Sequence, residues 1–163
     1  MNLAIGKTIV NEAFKSRNWQ FSLDDTNDNY IVFDIEFLRD ESTEMDCRVI
    51  VFDTGICDIE QFLPFSCPDD YQYMLVLYLT HYNCLKRYAT YRLNIANGEI
   101  TYSYSYNFNE ASTPAEFLEK FDIVANIDSD EYSKIENICL TGSAEKGDVL
   151  IKAETSEKYK ISL

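Results

Sequence analysis

Thr90-Tyr91-Arg92-Leu93-Asn94-Ile95-Ala96-Asn97-Gly98-Glu99-Ile100-Thr101-Tyr102-Ser103-Tyr104-Ser105-Tyr106 consists of two alternating runs joined through Asn97-Gly98. Asn-Gly is the strongest short-range hairpin signal, because both central residues of a type I′ turn need positive φ. A two-residue loop pairs Ala96 with Glu99, Ile95 with Ile100, Leu93 with Tyr102 and Tyr91 with Tyr104. The large apolar side chains then share one face, and Arg92, Asn94, Thr101 and Ser103 share the other. A slip of one residue would mix both faces. The hairpin follows directly on a long apolar helix, and that succession selects the fold.

The helix begins beyond Ser66-Cys67, where Pro68 suits a first turn and Asp69 and Asp70 complement the positive end of the dipole. Tyr71, Leu75, Tyr78, Tyr82 and Leu85 form its core stripe at helical spacing. The opposite stripe holds Gln72, Thr80, Asn83 and Arg87, yet Val76 and Leu79 project into it. A helix apolar on nearly all sides is buried on more than one. Terminal helices or a second subunit would supply that cover.

Upstream, residues 2–16 read as a helix, with Ile5, Ile9, Ala13 and Leu3, Val10, Phe14 at three- and four-residue steps. Tyr30–Leu38 alternates as a strand, with Ile31, Phe33, Ile35 and Phe37 on one face. Strands at 47–53 and 57–65 follow, joined through Thr54-Gly55; their mixed alternation leaves the register open. Downstream, Thr113-Pro114-Ala115-Glu116 is a capping box with Pro at the first helical position. Asp128-Ser129-Asp130 kinks or restarts that helix, and Gly142 caps its end. Residues 143–163 look like an addition to the 1–142 domain, and alternation over 148–163 predicts a short hairpin. The order is α-β-β-β-α-β-β-α. An α+β fold with an antiparallel sheet of about five strands and helices packed on it is the economical solution.

At 163 residues the chain is one domain with a single core. Its 46% hydrophobic content, including 12 Tyr and 10 Phe, argues against disorder. The net charge of −14, with lysines and arginines scattered, repels phosphate backbones and anionic lipid. Neither nucleic acid nor membrane is expected as a partner. The acidity serves solubility, or else attracts a basic client. The five cysteines are odd in number and include no CxxC pair, and no leader-like segment opens the sequence. We therefore expect a reduced, cytoplasmic setting, with the thiols as small core residues.

No catalytic motif survives inspection. Asp53-Thr54-Gly55 after an apolar run resembles the aspartic-protease triplet, but Ile56 stands where those enzymes carry a small residue. An Asp- and Gly-rich hairpin turn explains it more simply. Gly6-Lys7-Thr8 lacks the upstream glycine and strand of a phosphate loop. Asp24-Asp25-Thr26-Asn27-Asp28 has Asn29 and Ile35 where a calcium loop needs Gly and Glu. His81 is the sole histidine and has no neighbouring nucleophile by local spacing, so neither catalysis nor zinc is expected. No cofactor is implied. The ladder Tyr102, Tyr104, Tyr106 is expected to pack in the core.

The run Leu77-Tyr78-Leu79-Thr80-His81-Tyr82-Asn83, followed by Leu85, Tyr88 and 91–93, then Asn97-Gly98-Glu99-Ile100-Thr101-Tyr102, resembles the YbjN family. That family is similar in fold to the small acidic type III secretion chaperones. The resemblance spans roughly residues 5–140 and rests on pattern and element order. It implies a non-enzymatic, chaperone-like or regulatory protein that binds another polypeptide. It also implies a homodimer formed through the second helix and the strand after it. Carried onto this chain, that nominates Val76, Leu79, Asn83, Arg92 and Asn94 as a dimer or partner surface. The alternatives are a small acidic, immunity-type protein that neutralises a basic partner and, more remotely, a dimeric aspartic protease using Asp53.

Overall fold

Alternation builds the sheet and helical periodicity builds its cover. In the computed structural model, which describes residues 3–39 and 43–144, the elements follow in this order. Helix α1 (Leu3–Ser16) precedes strands β1 (Ser22–Asp24), β2 (Tyr30–Leu38), β3 (Glu44–Phe52) and β4 (Ile56–Ser66). Helix α2 (Asp69–Leu85), strands β5 (Thr90–Leu93) and β6 (Glu99–Asn107), and helices α3 (Pro114–Ala125) and α4 (Ser129–Thr141) complete it. The fold is α+β. The six strands of the described residues form one antiparallel sheet in the order β1-β2-β3-β4-β6-β5, with the helices packed on it. The hairpin expected over 148–163 lies outside the described residues.

Three sequence signals translate directly. Ile9, Val10, Ala13 and Phe14 are the buried stripe of α1. The α3 capping box is closed on both sides: Glu116 N donates to Thr113 Oγ1 at 3.2 Å, and Thr113 N donates to Glu116 Oε2 at 3.1 Å. The restart at Asp128 is a true break, since its side chain accepts from Asp130 N and caps a separate α4, which Gly142 ends at φ +70°.

The hairpin register departs from expectation. Gly98 has φ +73°, but among the described residues the only non-glycine with positive φ is Asn18, so Asn97 cannot belong to a type I′ turn. Residues 94–98 instead form a longer loop built on a type I turn, with Asn97 N and Gly98 N both donating to Asn94 O. Leu93 pairs with Ile100, and Tyr91 with Tyr102. The pairing is thus shifted by two residues. An even shift preserves the faces, so Tyr91, Ile100 and Tyr102 remain in the core, while Ile95 moves into the loop at 72% exposure. The cause is long-range. Cys67 N donates to Gly98 O at 2.8 Å, and a Cβ on Gly98 would stand 2.2 Å from Cys67 O. The β4–α2 junction thus seats against the turn, and only glycine fits there.

The β3–β4 register left open by the sequence is Val51 with Cys57, Val49 with Ile59 and Arg48 with Glu60. Asp53-Thr54-Gly55 is a three-residue turn whose Gly55 takes φ +90°. Helix α2 is rotated relative to the expected stripe. Its buried residues are Met74, Leu75, Tyr78 and Leu79, so Leu79 is housed in the core, whereas Leu85 at the helix end is 70% exposed.

Strand β1 and the turn before it were not anticipated. Asn18 adopts φ +56° after α1, with Trp19 N donating to Phe14 O and Asn18 N to Lys15 O. This is a Schellman cap, with Trp19 against Phe14 as its apolar clasp at 5.8 Å between ring centroids. Phe14 also meets Phe21, Phe33, Phe117 and Phe121, joining α1, β2 and α3 around one aromatic centre.

Candidate functional site

The helices cover one face of the sheet. Phe33, Ile35, Cys47, Val49, Cys57 and Ile59 point into that layer and are buried, while their alternating neighbours are half-buried or exposed. On the other face β2, β3 and β4 carry Asp34, Arg48 and Glu60 directly opposite one another. Arg48 Nε donates to Asp34 Oδ1 at 2.7 Å, and its guanidinium lies 5.7 Å from the Phe62 ring centroid. Arg92 of β5 reaches Glu60 at 3.7 Å and extends the alternating row to a fourth strand. Burial raises the Glu60 carboxyl pKa, and the Arg92 charge pulls it back. Beside this row stands an apolar pair, Val32 opposite Ile50.

One end of this face is a groove of about 1180 Å³ between the chain at Gln20–Ser22 and the turn at Asn97–Glu99. Its floor includes Glu36, Asp46, Arg48 and Phe62. Glu36 and Asp46 face each other across β2 and β3, an arrangement of like charges that is unfavourable without a cation nearby. Arg48 is already engaged by Asp34. Among the described residues neither Glu36 nor Asp46 has an ion-pair partner, so the groove combines an aromatic surface with net negative charge.

The five residues nominated from the sequence do not form one surface. Val76 is 39% exposed on α2, and Leu79 of the same helix is 4% exposed in the core. Asn83 joins α2 to the edge of the sheet: its Oδ1 accepts from Tyr91 N and its Nδ2 donates to Tyr91 O, each at 2.8 Å. The side-chain amide thus pairs with β5 as the peptide group of a further strand would. Arg92 lies on the open face with Glu60, and Asn94 accepts from Ala96 N within the β5–β6 loop.

A polar cluster went unrecognised in the sequence. Glu131 of α4, 7% exposed, pairs with Lys86 at the end of α2. Its Oε2 accepts from the Tyr91 hydroxyl at 2.9 Å, and Glu131 also acts electrostatically on the Tyr82 phenol. The Lys86 ammonium lies 4.8 Å from the Tyr82 ring centroid and 5.9 Å from that of Tyr102. Burial and the Glu131 charge raise all three phenols, Tyr102 to about 12. The only local clue was Lys86 itself, a cation at the negative end of a helix.

Asp53 is exposed in the β3–β4 turn, its N–H donating to Asn29 O at 2.8 Å, and His81 is exposed on α2. Among the described residues no group of three His, Cys, Asp or Glu side chains is placed to hold a metal ion. Among them, too, no helix is long and apolar enough to cross a membrane. No protein-family model matches the chain, and no curated protein matches it.

Proposed function

We propose that this chain is a non-enzymatic, cytoplasmic protein-binding module, chaperone-like or regulatory, that holds a polypeptide on the face of its sheet opposite the helices. The observation that carries this reading is the groove of about 1180 Å³ on that face, where Phe62 offers apolar surface beside Glu36 and Asp46. Two facing carboxylates and an aromatic floor suit a basic segment, whose lysines or arginines would relieve the repulsion between the acids. The net charge of −14 draws such a partner in and disfavours nucleic acid and anionic lipid. The resemblance to the YbjN family and to secretion chaperones supports the same class. The immunity-type alternative uses the same groove against a basic toxin and differs in biology rather than in contact chemistry.

The test is a titration with extended lysine-rich and glutamate-rich peptides of equal length, followed by backbone amide shifts. Binding of the basic peptide with shifts at Glu36, Asp46 and Phe62, weakened by salt, is the expected result. Shifts confined to the helical layer, or equal binding of the acidic peptide, would overturn the reading.

A homodimer is a second reading, favoured by Tyr73 and Val76, which are 60% and 39% exposed one turn apart on α2. Light scattering on the parent and on Val76→Glu tests it. A dimeric mass that falls to a monomer in the variant supports this helix face, and a monomeric parent removes it.

A further inference from the structure

We propose that Tyr82, Tyr91, Tyr102 and Glu131 constitute a binding site for a primary alkylammonium group, filled in cis by Lys86 and open to exchange with an external amine. The site is assembled from α2, β5, β6 and α4, so the fold brings its parts together from distant sequence. A carboxylate closed in by tyrosine rings meets the requirements of ammonium recognition: a counter-charge for the N–H donors and ring faces for the cation.

The geometry selects among cations. Glu131 Oε2 is committed to the Tyr91 hydroxyl, leaving Oε1 for the ligand. A guanidinium, which binds carboxylates through two parallel bonds, would have to displace Tyr91. A quaternary ammonium has no N–H for Oε1. A primary ammonium satisfies both conditions, as Lys86 does.

Exchange requires only that the Lys86 side chain turn toward solvent, because the connection itself is anchored by Ala89 in the core. Lys86 sits on the short connection from α2 to β5, its side chain 23% exposed, with Arg87 and Tyr88 exposed beside it. Rotation of that side chain into solvent vacates the site, with Ala89 still buried and Tyr91 still held by Asn83 at the sheet edge. Small amines and a lysine presented by a partner share the required chemistry.

The experiment titrates Lys86→Ala with n-propylammonium chloride, following the melting temperature and the amide shifts of Tyr91 and Glu131. We expect saturable recovery of stability with localised shifts, unmatched by tetramethylammonium or sodium chloride at equal ionic strength. Adding Glu131→Gln should weaken the apparent affinity about tenfold or more, the size of one lost charge-assisted hydrogen bond. Equal recovery by all three salts, or no shift at Tyr91 and Glu131, would overturn the site. Lys86→Met preserves the methylene packing and serves if the alanine variant does not fold. Excess propylammonium added to the unaltered protein gives a further reading through the same two amides. An acetylated lysine amide with a free side-chain ammonium, compared with propylammonium, separates a partner's lysine from a small amine as the external ligand.

Discussion

Two sets of ion pairs stand on opposite sides of this molecule. On the open sheet face Asp34, Arg48 and Arg92 side chains are 47%, 44% and 55% exposed, and only Glu60 in the row is half-buried, at 22%. At the junction of α2, β5 and α4, Lys86 and Glu131 meet among tyrosines, at 23% and 9%. The chemistry is the same, but the surroundings decide its consequence. The exposed row is screened by water and salt and can be rearranged at small cost. The enclosed pair cannot lose one member without stranding the other charge. The open face can therefore accept a new charged partner at small cost, whereas the enclosed pair ties the helices to the sheet edge and admits a new cation only in place of Lys86.

The sharpest way to break this contrast is Glu131→Gln. It keeps the shape but leaves the Lys86 ammonium without its counter-charge, and should destabilise the protein by about 3 kcal/mol in a denaturant titration. The loss should change little between low and high salt. Asn83→Ala comes next. Removing both of its bonds to Tyr91, at about 1 kcal/mol each, should cost about 2 kcal/mol.

Alkali probes the same cluster without mutation. Tyr82, Tyr91 and Tyr102 have raised pKa values, from burial first and then from Glu131, so the folded state keeps protons that the unfolded state has lost. Stability should hold up to the ordinary phenol value near 10 and fall as pH rises beyond it, with Tyr102 releasing its proton at about 12. Tyrosinate absorbance measured with unfolding curves checks this. Ionisation of every phenol near 10 in the folded protein would contradict it. The smallest effect is expected from Arg48→Ala on the open face, less than about 1 kcal/mol and shrinking further with salt. A loss as large as that of Glu131→Gln would erase the distinction between the two regions.

Local patterns carried much of the fold. The periodicity of Ile9, Val10, Ala13 and Phe14, the alternation of Tyr30–Leu38 and the Thr113–Glu116 box each encode an element within a few residues. What was illegible depends on distant contacts. The Asn97-Gly98 loop follows the seating of Cys67 against Gly98, which no local rule contains. Leu79 looked homeless because the rotation of α2 is set by its packing partners. Strand β1 has three exposed residues and hence no alternation to detect. The same holds for the sites. Glu131 lies beside Asp128 and Asp130 in what reads as a solvated helix start, and its burial comes from Tyr91, 40 residues away. The groove acids were visible only as acidic residues until the register placed Glu36 opposite Asp46.

The amide of Asn83 has a consequence at high concentration. A strand with free donors and acceptors is a template on which identical chains can stack without limit, and β5 presents Tyr91 at the outer margin of the sheet. By occupying both of those groups, a single side chain takes Tyr91 out of that template and shortens the stretch of edge open to stacking. An added chain would have to displace this amide before it could pair along the middle of β5.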